Sequence, residues 1–178
     1  MKRQKVLIFI VSYNAEAFIQ KVLDRIPGAV WKSEKFDTEV LIIDDSSKDA
    51  TFHRAESYRK RYPNLTVLYN PKNQGYGGNQ KIGFHYAVEN GFDSVVLLHG
   101  DGQYAPELLP EMIEPLLDGR ADLVLGSRML NKQGALKGGM PLYKWVGNQI
   151  VTWIQNRVLG ARLSEFHTGY RAYRVEAL

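Results

Sequence analysis

The chain has 178 residues, 44% hydrophobic and 24% charged, which excludes wholesale disorder, collagen-like repetition and an integral membrane bundle. At roughly 150 residues per domain, this length suits one α/β domain and leaves two cramped, while the absence of cysteine excludes disulfides, thiolate metal sites and a cysteine nucleophile. The formal charge of +4 is uneven: residues 1–119 carry 14 Lys and Arg against 16 Asp and Glu, whereas residues 120–178 carry 9 against 3. Such a basic half fits either a face that meets phosphate, nucleic acid or a membrane surface, or a merely solvated cationic face.

Met1-Lys2-Arg3-Gln4-Lys5 followed by Val6–Val11 has the outline of a secretion signal, but Ser12, Tyr13, Asn14 and Glu16 interrupt the apolar run. A buried strand is the better reading. Further short apolar runs at Val40–Ile43, Leu65–Tyr69, Ser94–Leu98 and Asp122–Leu125 predict strands. They alternate with predicted helices near Glu16–Ile26, Lys48–Tyr62, Asn79–Asn90 and Pro106–Leu117. Ser46 or Ser47 is the expected N-cap of the second helix, Gly91 the stop of the third and Pro106 a first-turn proline of the fourth, which Pro115 bends or ends. Apolar strands alternating with helices imply a mostly parallel sheet covered on both faces.

Beyond Leu125, Gly126, Gly134, Gly138, Gly139 and Pro141 mark a long loop. A helix over Leu142–Leu159 follows, with Leu142, Trp145/Val146, Ile150, Trp153/Ile154 and Val158 on one stripe. Part of that stripe is expected to bury against the sheet, and two tryptophans beside cations suit a membrane interface. No run reaches the roughly 20 apolar residues needed to span a bilayer. The sequence stops at Arg174-Val175-Glu176-Ala177-Leu178 as a new element begins, so the native protein is expected to continue past Leu178 into further membrane-associating sequence.

Ligands of parallel α/β sheets gather beyond the carboxyl ends of the strands. The segments there are unusually polar: Ser12–Glu16, Asp44–Asp49, Asn70–Asn79 and His99–Gln103. Taken singly, each has a plain structural explanation, with Asp44 and Asp45 as helix caps, His99 as a satisfied half-buried histidine and Gly75-Tyr76-Gly77-Gly78 as a turn. Their joint occurrence at one sheet edge favours a binding site.

Six ordered motifs resemble the family-2 glycosyltransferases of the GT-A fold, in particular the polyprenyl-phosphate sugar synthases. They are Val11-Ser12-Tyr13-Asn14-Ala15-Glu16, Ile43-Asp44-Asp45-Ser46-Ser47-Lys48-Asp49-Ala50-Thr51, Asn73-Gln74-Gly75-Tyr76-Gly77-Gly78-Asn79, Gly100-Asp101-Gly102-Gln103-Tyr104-Ala105-Pro106-Glu107, Gly126-Ser127-Arg128 and His167-Thr168-Gly169-Tyr170-Arg171-Ala172-Tyr173. The resemblance implies a Rossmann-like GT-A sheet in a single catalytic domain over 1–178, truncated at its C-terminus. It also implies an inverting, metal-dependent transfer from a nucleotide-sugar to a polyprenyl (dolichyl or undecaprenyl) phosphate. Tyr13, Asn14, Glu16, Asp44, Asp45, Gly75, Gly77, Asn79 and Arg171 are then expected around the donor. Carboxylates suit the donor groups of a base and ribose. Asp101, with Gln103 and His99, is expected to hold Mg2+ or Mn2+, although His99 stands where the family has the first aspartate of its metal motif. His99 is equally open to a hydrogen bond with sugar or phosphate, or to inert packing.

Arg128 and Arg171 are candidate phosphate contacts or plain surface or strand-pairing arginines, and Glu165 a candidate general base or an exposed glutamate. Asp101, Glu165 and Arg128 make up the expected catalytic set. The partners implied are a nucleotide-sugar, a polyprenyl phosphate and a membrane surface, with no nucleic acid, and the location implied is cytoplasmic and peripheral to or anchored at the membrane. The competing classes are a transferase acting on a hydroxyl of a glycan or lipid, a catalytically silent nucleotide-sugar sensor, and a sugar-1-phosphate nucleotidylyltransferase. The last would open with a glycine-rich basic loop, which Ser12–Glu16 is not.

Overall fold

In the computed structural model, which describes residues 3–130, 136 and 140–178, every predicted apolar run contributes a strand. β1 (Gln4–Ser12), β2 (Phe36–Asp44), β3 (Leu65–Tyr69), β4 (Ser94–His99), β5 (Leu123–Leu125) and β6 (Arg171–Arg174) form one sheet in the order β3-β2-β1-β4-β6-β5. β1 lies parallel to β2 and β4, and β2 parallel to β3. The sixth strand escapes the apolar-run criterion and pairs antiparallel to β4, with Ala172 opposite Val96. Gly134, Gly138 and Gly139 of the expected loop lie outside the described residues.

Strand β1 explains the central sheet. From Val6 to Ser12 every residue is buried, so both faces are covered. Leu7, Phe9 and Val11 pack with Leu41, Ile43, Val95 and Leu97 on one face. There α4 (Gly75–Glu89) closes over them through Ala87 and Phe84. Gly83 permits this approach, because a Cβ there would come within 2.1 Å of the Phe9 ring. On β1's other face Val6, Ile8 and Ile10 are wholly buried, and α5 (Leu109–Leu117) packs against neighbouring β4.

Among the described residues, further helices are α1 (Ile19–Arg25), α2 (Gly28–Trp31), α3 (Thr51–Ser57) and α6 (Leu142–Leu159). Several predicted helix ends move. Ser46 and Ser47 do not cap α3: Ala50 holds the N-cap position, Ser46 sits at φ 62°, and the Ser47 hydroxyl accepts the Asn14 N–H at 2.8 Å. The glycine run read as a turn ahead of Asn79 is already helix from Gly75. Here the Asp45 carboxylate accepts the Gln74 N–H and the Asn73 side-chain oxygen the Gly75 N–H, each at 2.9 Å. Tertiary contacts thus outweigh the poor helix propensity of glycine. Pro115 stands inside α5, which ends at Leu117.

By contact density the chain divides into two compact units, Met1–Val124 with Arg171–Leu178, and Leu125–Tyr170. In the second, α6 has the predicted bounds but the opposite orientation to the expected partial burial. Thr152 is its buried residue, whereas Leu142, Ile150, Trp153 and Val158 are 65%, 54%, 67% and 76% exposed. Hydrogen bonds on its polar side explain the inversion: Asn148 donates to Glu165, Thr152 to Asn148, and Asn156 both donates to and accepts from the Leu163 backbone. Trp145 lies half-buried, apart from exposed Trp153. Among the described residues no helix is long and apolar enough to cross a membrane.

Candidate functional site

A pocket of about 300 Å³ opens at the carboxyl edge of the first unit's sheet, where β1, β2 and β4 end together. Tyr13, Asp45, Gly75, Asn79, His99 and Asp101 line it, joined by Val11, Ser12, Asn73, Tyr76 and Gly100. The first six come from the expected ligand set. Asn73 and Tyr76 belong to the glycine-rich motif, but residue type alone does not separate a lining side chain from a bracing one. Gly100 keeps the floor open to Ser12, since a Cβ there would come within 2.2 Å of the serine Oγ. Asn79 is buried, donating from Nδ2 to the Ile43 carbonyl at 3.0 Å, and its buried Oδ1 has no partner among the described residues.

Asn14, Glu16, Asp44, Gly77, Gln103 and Arg171 do not line this pocket. Several of them build its frame. The first two motifs are laced together: the Asn14 side chain accepts the Lys48 N–H at 2.9 Å, Thr51 Oγ1 the Ala15 N–H at 2.8 Å, and Asp49 the Glu16 N–H at 3.1 Å. Glu16 in return accepts the Ala50 N–H at 3.1 Å and pairs with Arg54 at 2.9 Å. That backbone bond, then Arg54, holds the Glu16 carboxyl below its ordinary value. Burial pushes Asp49 up, but bonds from the Thr51 hydroxyl and from the Thr51 and Glu16 N–H groups outweigh it and lower the carboxyl overall. Asp44 is fully buried and accepts the Ser47 N–H at 2.9 Å. Asp45 is shared between frame and pocket, taking Asn70 Nδ2 at 2.8 Å on the same oxygen as Gln74 N.

Asp101 and its neighbours form a connected polar chain. Gln103 Nε2 donates to Asp101 Oδ2 at 2.8 Å and lies 3.1 Å from His99 Nδ1, while His99 Nε2 is 3.0 Å from the Tyr76 hydroxyl. Tyr76 and Tyr104 both meet the imidazole edge to face. Burial raises the Tyr76 phenol above its ordinary value, reinforced by Tyr104, Tyr173 and Asp101 and opposed by the Arg171 cation. Among the described residues no three His, Cys, Asp or Glu side chains converge on one point as a ready-made metal cage. Asp101, one of the two carboxylates lining the pocket, nevertheless fits Mg2+ or Mn2+, which in phosphate-binding sites take one or two carboxylates and draw the remaining ligands from phosphate and water.

In the second unit the Gly126–Arg128 and His167–Tyr170 motifs brace one another. Gly126 N–H donates to the Tyr170 carbonyl at 2.8 Å and Thr168 Oγ1 to the Gly126 carbonyl at 2.6 Å. Glu165 is buried rather than exposed. It accepts the Arg128 N–H at 2.8 Å, the Arg128 guanidinium through Nε and Nη2, and Asn148 Nδ2 at 3.0 Å. A carboxylate saturated by four donors is a clamp on Arg128, poorly placed to take a proton.

The profile of glycosyl transferase family 2 matches residues 7–178. The chain belongs to that family. An undecaprenyl-phosphate mannosyltransferase from Micrococcus luteus is 32% identical over 178 residues, covering 98% of this chain and 68% of that one. Among solved structures, glucosyl-3-phosphoglycerate synthase from Mycobacterium tuberculosis superposes with a TM-score of 0.70 at 23% identity, covering 98% of this chain and 58% of that one. A mannosyltransferase from Pyrobaculum calidifontis in complex with GDP-Man and Mn2+ gives 0.64 at 18% identity, covering 98% and 45%. These likenesses establish the GT-A fold, and the family membership makes the chain a glycosyltransferase domain that uses a nucleotide-sugar donor. The family-2 domain spans about half the length of the two solved chains.

Proposed function

We propose that this domain transfers a hexose from a nucleotide-sugar to a polyprenyl phosphate, with inversion at the anomeric carbon. The observation that most supports a lipid acceptor is the outward apolar side of α6, with Trp153 and Arg157 one helical turn apart. The name of the Micrococcus relative points the same way. The donor would occupy the carboxyl-edge pocket, its base and ribose near Tyr13 and Asp45 and its diphosphate near Asp101. A divalent ion held by Asp101 would supply positive charge to the leaving diphosphate.

An acceptor phosphate oxygen forms its bond to the anomeric carbon as the bond from that carbon to the donor diphosphate breaks, and the nucleoside diphosphate leaves with the electron pair. A phosphate monoester, with its second pKa near about 6, is already largely dianionic at neutral pH and needs no base. That agrees with Glu165 being committed to Arg128. Arg128, itself partly exposed, is the proposed phosphate contact, with Glu165 holding it in place. Work on a lipid acceptor would place the domain at the cytoplasmic membrane surface, peripheral or anchored.

The test is transfer from a panel of UDP-, GDP- and dTDP-sugars to undecaprenyl and dolichyl phosphate with Mg2+ or Mn2+, the product being recovered in the organic phase. Label appearing only on free glycan hydroxyls would replace this reading with the hydroxyl-acceptor one.

A further inference from the structure

Hydrogen-bond accounting along Asp101, Gln103, His99 and Tyr76 fixes roles that residue type leaves open. Asp101 Oδ2 can only accept as a carboxylate, so the Gln103 amide must turn its NH2 toward it, at 2.8 Å. The same nitrogen lies 3.1 Å from His99 Nδ1, and being a donor it requires a lone pair there. A neutral imidazole that accepts at Nδ1 carries its proton on Nε2. Nε2 therefore donates across 3.0 Å to the Tyr76 oxygen, which leaves the phenolic proton directed elsewhere. Tyr76 lines the pocket and is half exposed, so that proton is available to an oxygen within it.

We propose that His99 is a positioning residue and not a metal ligand: anchored by Gln103 on Asp101, it fixes Tyr76 as a hydrogen-bond donor to an anionic oxygen of the nucleotide-sugar. This rests on the nucleotide-sugar reading of the pocket. In this arrangement both ring nitrogens are engaged, Nδ1 accepting and Nε2 donating. The two edge-to-face contacts with Tyr76 and Tyr104 hold the ring in its plane. The divalent ion then depends on Asp101, with the Gln103 Oε1 left open to it, and the replacement of an acid by histidine exchanges a ligand for a pre-aimed phenol.

The first readout needs no ligand. Long-range 15N–1H NMR of histidine-labelled protein should show His99 neutral with its proton on Nε2, and Gln103→Leu should shift the Nδ1 resonance. A proton on Nδ1 would overturn the proposal, since it frees Nε2 for a metal. The second readout is calorimetric binding of UDP and GDP, each with EDTA, Mg2+ or Mn2+. Tyr76→Phe should weaken binding about 10-fold, His99→Leu by a similar factor, and the double variant no further, while the gain from metal is preserved in all three and lost in Asp101→Asn. Loss of the metal gain in His99→Leu, or additive effects of the two substitutions, would overturn it. Failure of the wild-type protein to bind either nucleotide strikes the donor reading instead, and the tautomer measured in the free protein keeps the two failures apart.

Discussion

Glu165 holds Arg128 from two directions, accepting its backbone N–H at 2.8 Å and its guanidinium on the other carboxylate oxygen. The arginine is thereby fixed in both position and charge. Glu165→Gln keeps an oxygen acceptor but removes the charge, so it should cost stability of about 1.5–3 kcal/mol while retaining substantial transfer to a polyprenyl phosphate. Arg128→Ala should raise the acceptor concentration needed for half-maximal rate. Calorimetric Tm values beside kinetics for both variants decide the matter. Abolished transfer in Glu165→Gln with unchanged Tm and donor binding, together with a near-neutral Arg128→Ala, would restore the base and remove the phosphate acceptor.

The carboxylate of Asp101 is the pocket's proposed hold on a divalent ion. Asp101→Asn should lower kcat/KM by roughly 100-fold or more, and nucleotide binding should become insensitive to Mg2+ or Mn2+. Binding that is still strengthened by metal in this variant would move the ion elsewhere.

Much of the fold could be read from periodicity, because β1, β2 and β4 are buried on both faces and are written as unbroken apolar runs. β6 could not. Arg171-Ala172-Tyr173-Arg174 buries only Ala172, and its place depends on register with a strand more than 70 residues away. The site divided in the same way. Motif order located the carboxyl edge, but Asn14 and Glu16 look like ligands in the sequence and in the structure brace the loops, while Tyr76 looks like a turn residue and lines the pocket. Which polar side chain faces a neighbour and which faces the cavity depends on contacts between distant segments. The orientation of α6 was hidden for a related reason. Its stripe was visible, but Asn148 and Asn156 draw the polar side inward through bonds to Glu165 and Leu163.

The lacing of the two loops carries a pH signature. Glu16 and Asp49 both titrate below their ordinary values of 4.5 and 3.8 in the folded chain. A carboxyl depressed on folding stabilises the native state at pH above its unfolded value, and the contribution disappears as pH falls through the lower folded value. Stability should therefore decline on acidification below about pH 4.5. The difference in Tm between wild type and Glu16→Gln should shrink over the same interval. A gap of constant size from neutral pH to about pH 3 would show that Glu16 acts only through packing.

The outward side of α6 has the make-up of a lipid-facing surface. Leu142, Ile150, Trp153 and Val158, each more than half exposed, are costly to leave in water, and Arg157 lies among them rather than on the inner side. A tryptophan and an arginine on one face suit the boundary between lipid headgroups and acyl chains, where the indole ring and the aliphatic stem are covered and the charge meets anionic headgroups. Both attractions should then be separable. Co-sedimentation with vesicles rich in anionic lipid should weaken as salt is raised, and more steeply for wild type than for Arg157→Gln. Replacing Ile150 and Trp153 by serine should reduce binding about 10-fold or more at every salt concentration, since each removes buried apolar area without removing charge. Because both side chains are more than half exposed, the double variant should keep a Tm close to that of wild type. Vesicle binding that is absent from wild type at low salt, or unchanged by Ile150→Ser with Trp153→Ser, would show that this face meets something other than a lipid surface.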